Sequence, residues 1–142
     1  MAQFKHRTGD LKEETKVAFT AMSKYTFYFK HHITGYVLNL GYTPISPFAN
    51  FDYFLTDYVD RKHVIKGNNN LVRISDELWV FGPISDGVLF EIKYAKELGK
   101  PVKYFKIIRK NDIQEIVDVT GKEEELEFEE PKLKEAFSRI EK

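Results

Sequence analysis

Glu91 is the side chain whose type and setting most invite chemistry. It lies within Asp76–Val102, DELWVFGPISDGVLFEIKYAKELGKPV. That stretch reads as a buried strand, a turn of small residues, a helix, a Gly-Lys-Pro stop and a further strand. Helical spacing sets Glu91 one turn inside the helix, close to the apolar stripe Val88, Ile92, Ala95 and Gly99. Its i+3 and i+4 neighbours are Tyr94 and Ala95, so no lysine on its own helix pairs with it, whereas Glu97 is flanked by Lys93 and Lys100. A carboxylate aimed over the carboxyl ends of parallel strands can attack carbon as a nucleophile or hold a sugar hydroxyl. The plainer alternatives are a partly exposed surface acid, or an acid tied to a buried tyrosine or to Arg73.

The turn before this helix, Gly82-Pro83-Ile84-Ser85-Asp86-Gly87, adds a second feature. Ser85 or Asp86 can cap the helix, and its remaining amides with the helix dipole make a modest anion site. Gly87 lets a ligand or backbone approach closely. The same three residues also serve as ordinary capping chemistry.

These residues need a frame, and the chain supplies alternating strands and helices. Val17–Met22 reads as a first strand and Ser23 as the cap of a helix over Tyr25–Leu40, with Phe29, Ile33, Val37 and Leu40 at helical spacing and Gly41 as its stop. Tyr42–Ser46 reads as a short second strand, limited by Pro44 and Pro47. Asn50–Lys66 is predicted as a helix ended by Gly67, followed by an Asn68-Asn69-Asn70 turn and a short helix at Leu71–Ser75. Glu77–Phe81 is a continuous apolar strand, the mark of a sheet buried on both faces. A helix over Gly87–Leu98, a strand over Val102–Ile108, a last strand over Ile113–Val119 and a helix over Pro131–Ile140 complete the pattern. The acidic run Glu123–Glu130 is expected as a solvated loop or edge piece, and residues 1–15 as a flexible arm or capping segment. Such alternation means βαβ units and a parallel sheet, with the ligand site outside the carboxyl ends of its strands.

Composition narrows the function classes. The chain has 142 residues, with 22 Lys and Arg against 22 Asp and Glu, so a single domain without a broad nucleic-acid footprint is expected. No cysteine is present, which excludes disulfides, thiolate zinc sites and a cysteine nucleophile and suits a reducing cytoplasm. No apolar run approaches the roughly 20 residues that span a bilayer, and the polar first 16 residues contain no signal-peptide core. The expectation is a soluble cytoplasmic protein. His31 and His32 are adjacent and do not share a helix face, so no metal site is predicted. Tyr25, Phe27, Tyr28 and Phe29 between Lys24 and Lys30 have the makings of a stacking surface for single strands, but core packing is the preferred reading. No P-loop and no dinucleotide fingerprint occur.

Asp76-Glu77-Leu78-Trp79-Val80, followed by Ser85, Gly87, Glu91, Ala95 and Gly99-Lys100-Pro101, resembles the nucleoside 2-deoxyribosyltransferase superfamily. That superfamily includes the related nucleoside-monophosphate N-glycosidases; the likeness is greatest to a branch of small bacterial and phage-type proteins. It covers residues 16–108, leaving 109–142 as a C-terminal strand, acidic loop and helix. The resemblance implies a flavodoxin-like three-layer α/β sandwich on a mostly parallel five-stranded sheet, and a homodimer or higher homo-oligomer. It implies Glu91 as the nucleophile, with Ser23, Ser85 and Gly87 holding sugar hydroxyls or a 5′-phosphate. Either Phe48, which with Pro47 ends the second strand, or Tyr25 would stack on the base; no metal or cofactor is implied. One position departs: the family carries an acid that assists departure of the base where this chain has Asn68. Asn68 reads equally as a helix cap after Gly67. The acid's role then falls to Asp86, Asp52 or Asp57. Leu89 stands where the family has a small residue, which predicts a narrower pocket.

Two main function readings follow. One is a hydrolase or deoxyribosyltransferase acting on the N-glycosyl bond of a nucleoside or nucleotide. The other is a catalytically weak or inactive nucleotide-binding or sensing protein on the same fold. A protein-interaction role for Glu123–Glu130 is a third. An aromatic face over Phe51–Tyr58 suits a dimer.

Overall fold

The computed structural model describes residues 3–51, 58–117, 119 and 123–141. Its centre is a five-stranded sheet. Strand β1 (Val17–Met22) pairs in parallel with β2 (Thr43–Ile45) on one side and β3 (Glu77–Phe81) on the other. Strand β4 (Val102–Arg109) pairs in parallel with β3, and β5 (Asp112–Glu115) lies antiparallel on β4. The order β2-β1-β3-β4-β5 is that of flavodoxin-like doubly wound sheets. The fifth strand is joined by a hairpin through Lys110-Asn111 instead of a helical crossover, and it ends at Glu115, short of the predicted Val119.

Period-2 alternation divides the apolar residues between two faces. Phe19, Ala21, Leu78, Val80 and Tyr104 face α3 (Arg61–Ile74), α4 (Asp86–Glu97) and α5 (Pro131–Glu141), which contribute Val72, Val88, Ile92, Ala95, Leu133 and Phe137. Ala18, Met22, Trp79, Phe81 and Phe105 face α1 (Lys30–Asn39) with Ile33 and Val37. Helices on both faces make three layers. Two helices stop as the sequence predicts: Gly41 follows α1 at φ +85°, and Gly99 follows α4 at φ +72°.

Three stretches differ from expectation. Residues Lys24–Phe29 form a 3₁₀ turn capped by Ser23, and the α-helix begins only at Lys30. After β2, a short helix α2 (Pro47–Asn50) is capped by Ser46, and α3 then runs unbroken through Gly67 and Asn68-Asn69-Asn70. Gly67 does not end a helix, and Asn68 is no cap. A Cβ at Gly67 would lie 2.9 Å from Phe51 Cζ, so its role is to let that ring approach the helix. The price is about 1 kcal/mol of helix propensity. Most of the aromatic face expected over Phe51–Tyr58 lies outside the described residues.

The acidic run is not a free loop. Leu126 and Phe128 pack on the core, while Glu125, Glu127 and Glu129 point outward. Phe128 bridges Ile84 in parallel, with Ile84 N–H donating to Glu127 O at 2.8 Å and Glu129 N–H donating to Ile84 O at 3.0 Å. At the other end of the chain, a 3₁₀ turn at Arg7–Asp10, capped by His6, is exposed throughout.

Candidate active site

Glu91 projects from the buried side of α4 and is only 8% exposed. Its partner comes from the neighbouring helix: Asn68 Nδ2–H donates to Glu91 Oε2 at 2.8 Å. Taking a carboxylate out of water disfavours its charged form, and burial pushes Glu91 from 4.5 up to about 7, against a smaller downward pull from the Asn68 amide. A plain surface acid and an Arg73 tie are both set aside; the Arg73 guanidinium instead donates to Asn70 Oδ1 at 2.8 Å. Asn68 Oδ1 is buried with no hydrogen-bond partner among the described residues. An unpartnered buried acceptor is costly and is a natural place for a donor group or an ordered water.

The register of α3 on α4 is held from the Gly-Lys-Pro stop. Lys100 Nζ donates to Val72 O at 3.1 Å and to the carbonyls of Arg73 and Ser75. All three carbonyls lie at the end of α3, where Val72 O also accepts from Ser75 N–H at 3.3 Å, and an ammonium suits the negative end of the helix dipole. Burial lowers the Lys100 pKa.

Glu91 and Asn68 open onto a cavity of about 210 Å³, lined further by Phe19–Met22 of β1, by Pro47, Phe48 and Phe51, and by Val64 of α3. It lies at the carboxyl ends of β1 and β2, where the order of connection reverses across β1. Of the residues singled out from sequence, Glu91, Asn68, Pro47 and Phe48 meet here.

The others sit elsewhere. Tyr25 is exposed and lines a separate cavity of about 220 Å³ with Gly82, Pro83 and Glu127. Ser23 is buried, and its hydroxyl donates to Glu129 Oε1 at 2.5 Å. Ser85 Oγ accepts from Val88 N–H at 3.2 Å, and Asp86 Oδ1 accepts from Gly87 N–H at 2.7 Å. Asp86 and Leu89 line a groove between α4 and α5. Neither borders the Glu91 cavity, so Leu89 does not narrow it, because the helical turn carries position 89 away from the face that bears Glu91. Asp52 and Asp57 lie outside the described residues. Among the described residues no group of three or more His, Asp or Glu side chains is placed to hold a metal ion. No helix among them is long and apolar enough to cross a membrane.

Sequence reasoning passed over Phe51, Val64 and Glu129. Phe51 was signalled by Gly67, whose missing Cβ admits the Phe51 ring where the sequence reads only a helix stop; no local pattern marks Val64. Glu129 was signalled by the alternation of Leu126 and Phe128 inside the acidic segment.

Fold and crevice together define an open-sheet α/β protein with a buried carboxylate over the strand switch. The chain belongs to the family described as "Domain of unknown function (DUF7768)", whose model matches residues 10–105. In fold it is similar to a solved 2-deoxyribosyltransferase from the psychrotolerant bacterium Bacillus psychrosaccharolyticus. The two are 23% identical, the match covers 66% of this chain and 77% of that one, and the TM-score is 0.49. A search of curated proteins finds no match.

Proposed function

We propose that this chain breaks the N-glycosyl bond of a nucleoside or nucleotide, with Glu91 as nucleophile. The sugar passes to water or to a second base. The observation that carries the reading is the buried Glu91 carboxylate, held through one oxygen by Asn68 and facing a cavity at the strand switch. The spacing of Ser85, Gly87 and Glu91 supports it independently through the deoxyribosyltransferase resemblance, and gives 2-deoxyribose as the first sugar to test. The cavity of about 210 Å³ is smaller than the roughly 300–1,000 Å³ of pockets that swallow a whole drug-sized ligand. It suits the sugar, with the base directed toward Phe48 and Phe51.

In this mechanism Asn68 engages Oε2, so Oε1 forms the bond to the anomeric carbon. The carbon–nitrogen bond breaks through an oxocarbenium-like state, and its electron pair leaves with the base. The Asn68 amide hydrogen-bonds but is no general acid, so the departing nitrogen takes its proton from water. Attack by water or a second base at the anomeric carbon then frees the carboxylate. Residues 1–142 act as one domain with its core over 16–108, as a cytoplasmic homo-oligomer needing no metal or cofactor.

A second reading, nucleotide binding without turnover, is favoured by one observation: an amide at position 68 and Asp86 in a different groove leave no acid beside Glu91 among the described residues. Incubation of the purified protein with nucleosides, deoxynucleosides and their monophosphates, with and without an acceptor base, separates the two. Release of free base, abolished by Glu91→Ala, is the expected result. Ligand binding with no release, unchanged in Glu91→Gln, would move the protein to the binding class.

A further inference from the structure

We propose that the cavity between the carboxyl end of β3 and the projecting end of β4 is a second ligand site. It takes a small neutral planar ring with an N–H beside a C=O, a lactam or imide, which completes the sheet where β3 stops. This site stands apart from the chemistry at Glu91.

The sheet leaves the place open. Pairing of β3 with β4 ends at Phe81 opposite Phe105, while β4 runs on to Arg109. In a strand, the N–H and C=O of one residue point to one side and those of the next residue to the other. Gly82 N–H donates to Phe105 O at 3.2 Å, and Ile116 N–H donates to Tyr104 O at 2.8 Å. Phe105 and Ile107 therefore turn their backbone groups toward the β3 side, and Tyr104 and Lys106 turn theirs toward the β5 side. At Ile107 there is no β3 left. Gly82 takes φ +76°, and Ile84 pairs instead with Phe128. Among the described residues no backbone group bonds Ile107 from this side. Unpaired backbone donors and acceptors are costly away from water, and a ring with the complementary pair satisfies both.

A third polar group joins them. Thr26 lines the cavity and is only 5% exposed, and its hydroxyl has no hydrogen-bond partner among the described residues. A Cβ at Gly82 would stand 3.1 Å from Thr26 Oγ1 and 3.7 Å from Ile107 Cδ1, so glycine keeps this corner open.

The remaining walls select the ligand. Phe29, Phe105, Ile116 and Leu126 are apolar, and Tyr25, 70% exposed, offers a further ring face. The charged lining groups, Lys106, Glu125 and Glu127, are exposed and stay hydrated, so the interior favours a neutral guest. The volume of about 220 Å³ is below the roughly 300–1,000 Å³ of pockets for drug-sized ligands, and fits a single ring system. An extended peptide fits less well. The register of β4 shifts between Ile107 and Arg109, so Ile107 alone offers a regular donor–acceptor pair here, too little for an added strand.

The test titrates the isotope-labelled full chain with 2-quinolone, read by its amide resonances and by calorimetry. The matched control is the N-methyl form, which has no N–H. 2-Quinolone should move the Ile107 and Gly82 resonances saturably and bind about tenfold tighter than the control, which leaves Ile107 O unpaired. Thr26→Val removes the hydroxyl and should weaken binding about fivefold. Glu91→Ala should leave the affinity unchanged. No saturable shift at Ile107, equal binding of the two quinolones, or an affinity unmoved by Thr26→Val overturns the inference. Binding lost in Glu91→Ala does so too, as does a capped trivaline peptide that moves Ile107 where 2-quinolone does not.

Discussion

Asn68 and Glu91 stand on adjacent helices, 23 residues apart in sequence, and meet in a 2.8 Å hydrogen bond at the floor of the crevice. The amide gives the carboxylate a fixed orientation without adding charge. A carboxyl group at position 68 would instead form a like-charged pair.

Glu91 sets a pH signature on stability. Its folded value of about 7 lies above the ordinary 4.5, so the folded state binds the proton more tightly. This contribution is complete below pH 4.5 and is lost as pH rises to about 7. The loss amounts to about 3 kcal/mol. Urea denaturation of wild type and Glu91→Gln at pH 4 and pH 8 should show the variant gaining on wild type by that order. Equal differences at both pH values would mean that the carboxylate is not desolvated. Base release, which needs the ionised form, should rise through the same interval.

Replacing Asn68 shifts that profile in a known direction. Asn68→Ala removes the bond that draws the Glu91 pKa down, so the rise in base release should move to higher pH. Activity at neutral pH should fall about tenfold, the equivalent of one lost hydrogen bond to a charged group. Asn68→Asp introduces a proton donor beside the nucleophile and should convert the profile to a bell with faster release near its maximum. A profile unchanged in both variants would remove Asn68 from the chemistry.

Lys100 ties α4's exit to the end of α3. Lys100→Met keeps the aliphatic stem and removes the ammonium from the carbonyls of Val72, Arg73 and Ser75. The expected loss is about 1–2 kcal/mol in thermal or urea unfolding. Because α3 carries Asn68, ligand affinity should weaken as well. Unchanged stability would mean that water caps these carbonyls equally well.

Glu77 predicts acid sensitivity at the opposite end of the sheet. It is buried, accepts from Trp79 Nε1–H at 2.9 Å and Tyr42 OH at 3.2 Å, and pairs with Lys103 at 3.3 Å. Burial pushes its pKa up, but the Trp79 bond, the Lys103 charge and the Tyr42 bond outweigh it and leave the carboxyl below its usual range. A depressed value contributes stability above the unfolded pKa, lost as pH falls through the folded one. Glu77→Ala leaves the buried Trp79 Nε1–H without its acceptor and removes the counter-charge of the partly exposed Lys103, and should cost roughly 1–3 kcal/mol at neutral pH. The deficit relative to wild type should shrink in acid; a deficit independent of pH would refute the ionic account.

The order and type of the main elements were legible from one-dimensional patterns. The run Glu77–Phe81 announced a strand buried on both faces, and Gly41 and Gly99 announced helix stops that need positive φ. Glu91 stood out because a lone acid on an apolar helical face lacks a local partner. These signals are local: periodicity, capping and backbone permissiveness act over a few residues and survive in the sequence.

What depended on contacts between distant segments was decided only in three dimensions. Gly67 reads locally as a helix breaker, yet α3 passes through it because the ring of Phe51 takes the space a Cβ would fill. Asn68 reads locally as a cap, yet it lies mid-helix and meets Glu91 across a helix interface. Ser23 reads as a ligand contact, yet a carboxylate 106 residues away takes its hydroxyl. The partner of a buried polar group is set by which segments the sheet order brings together, and no local period encodes that order.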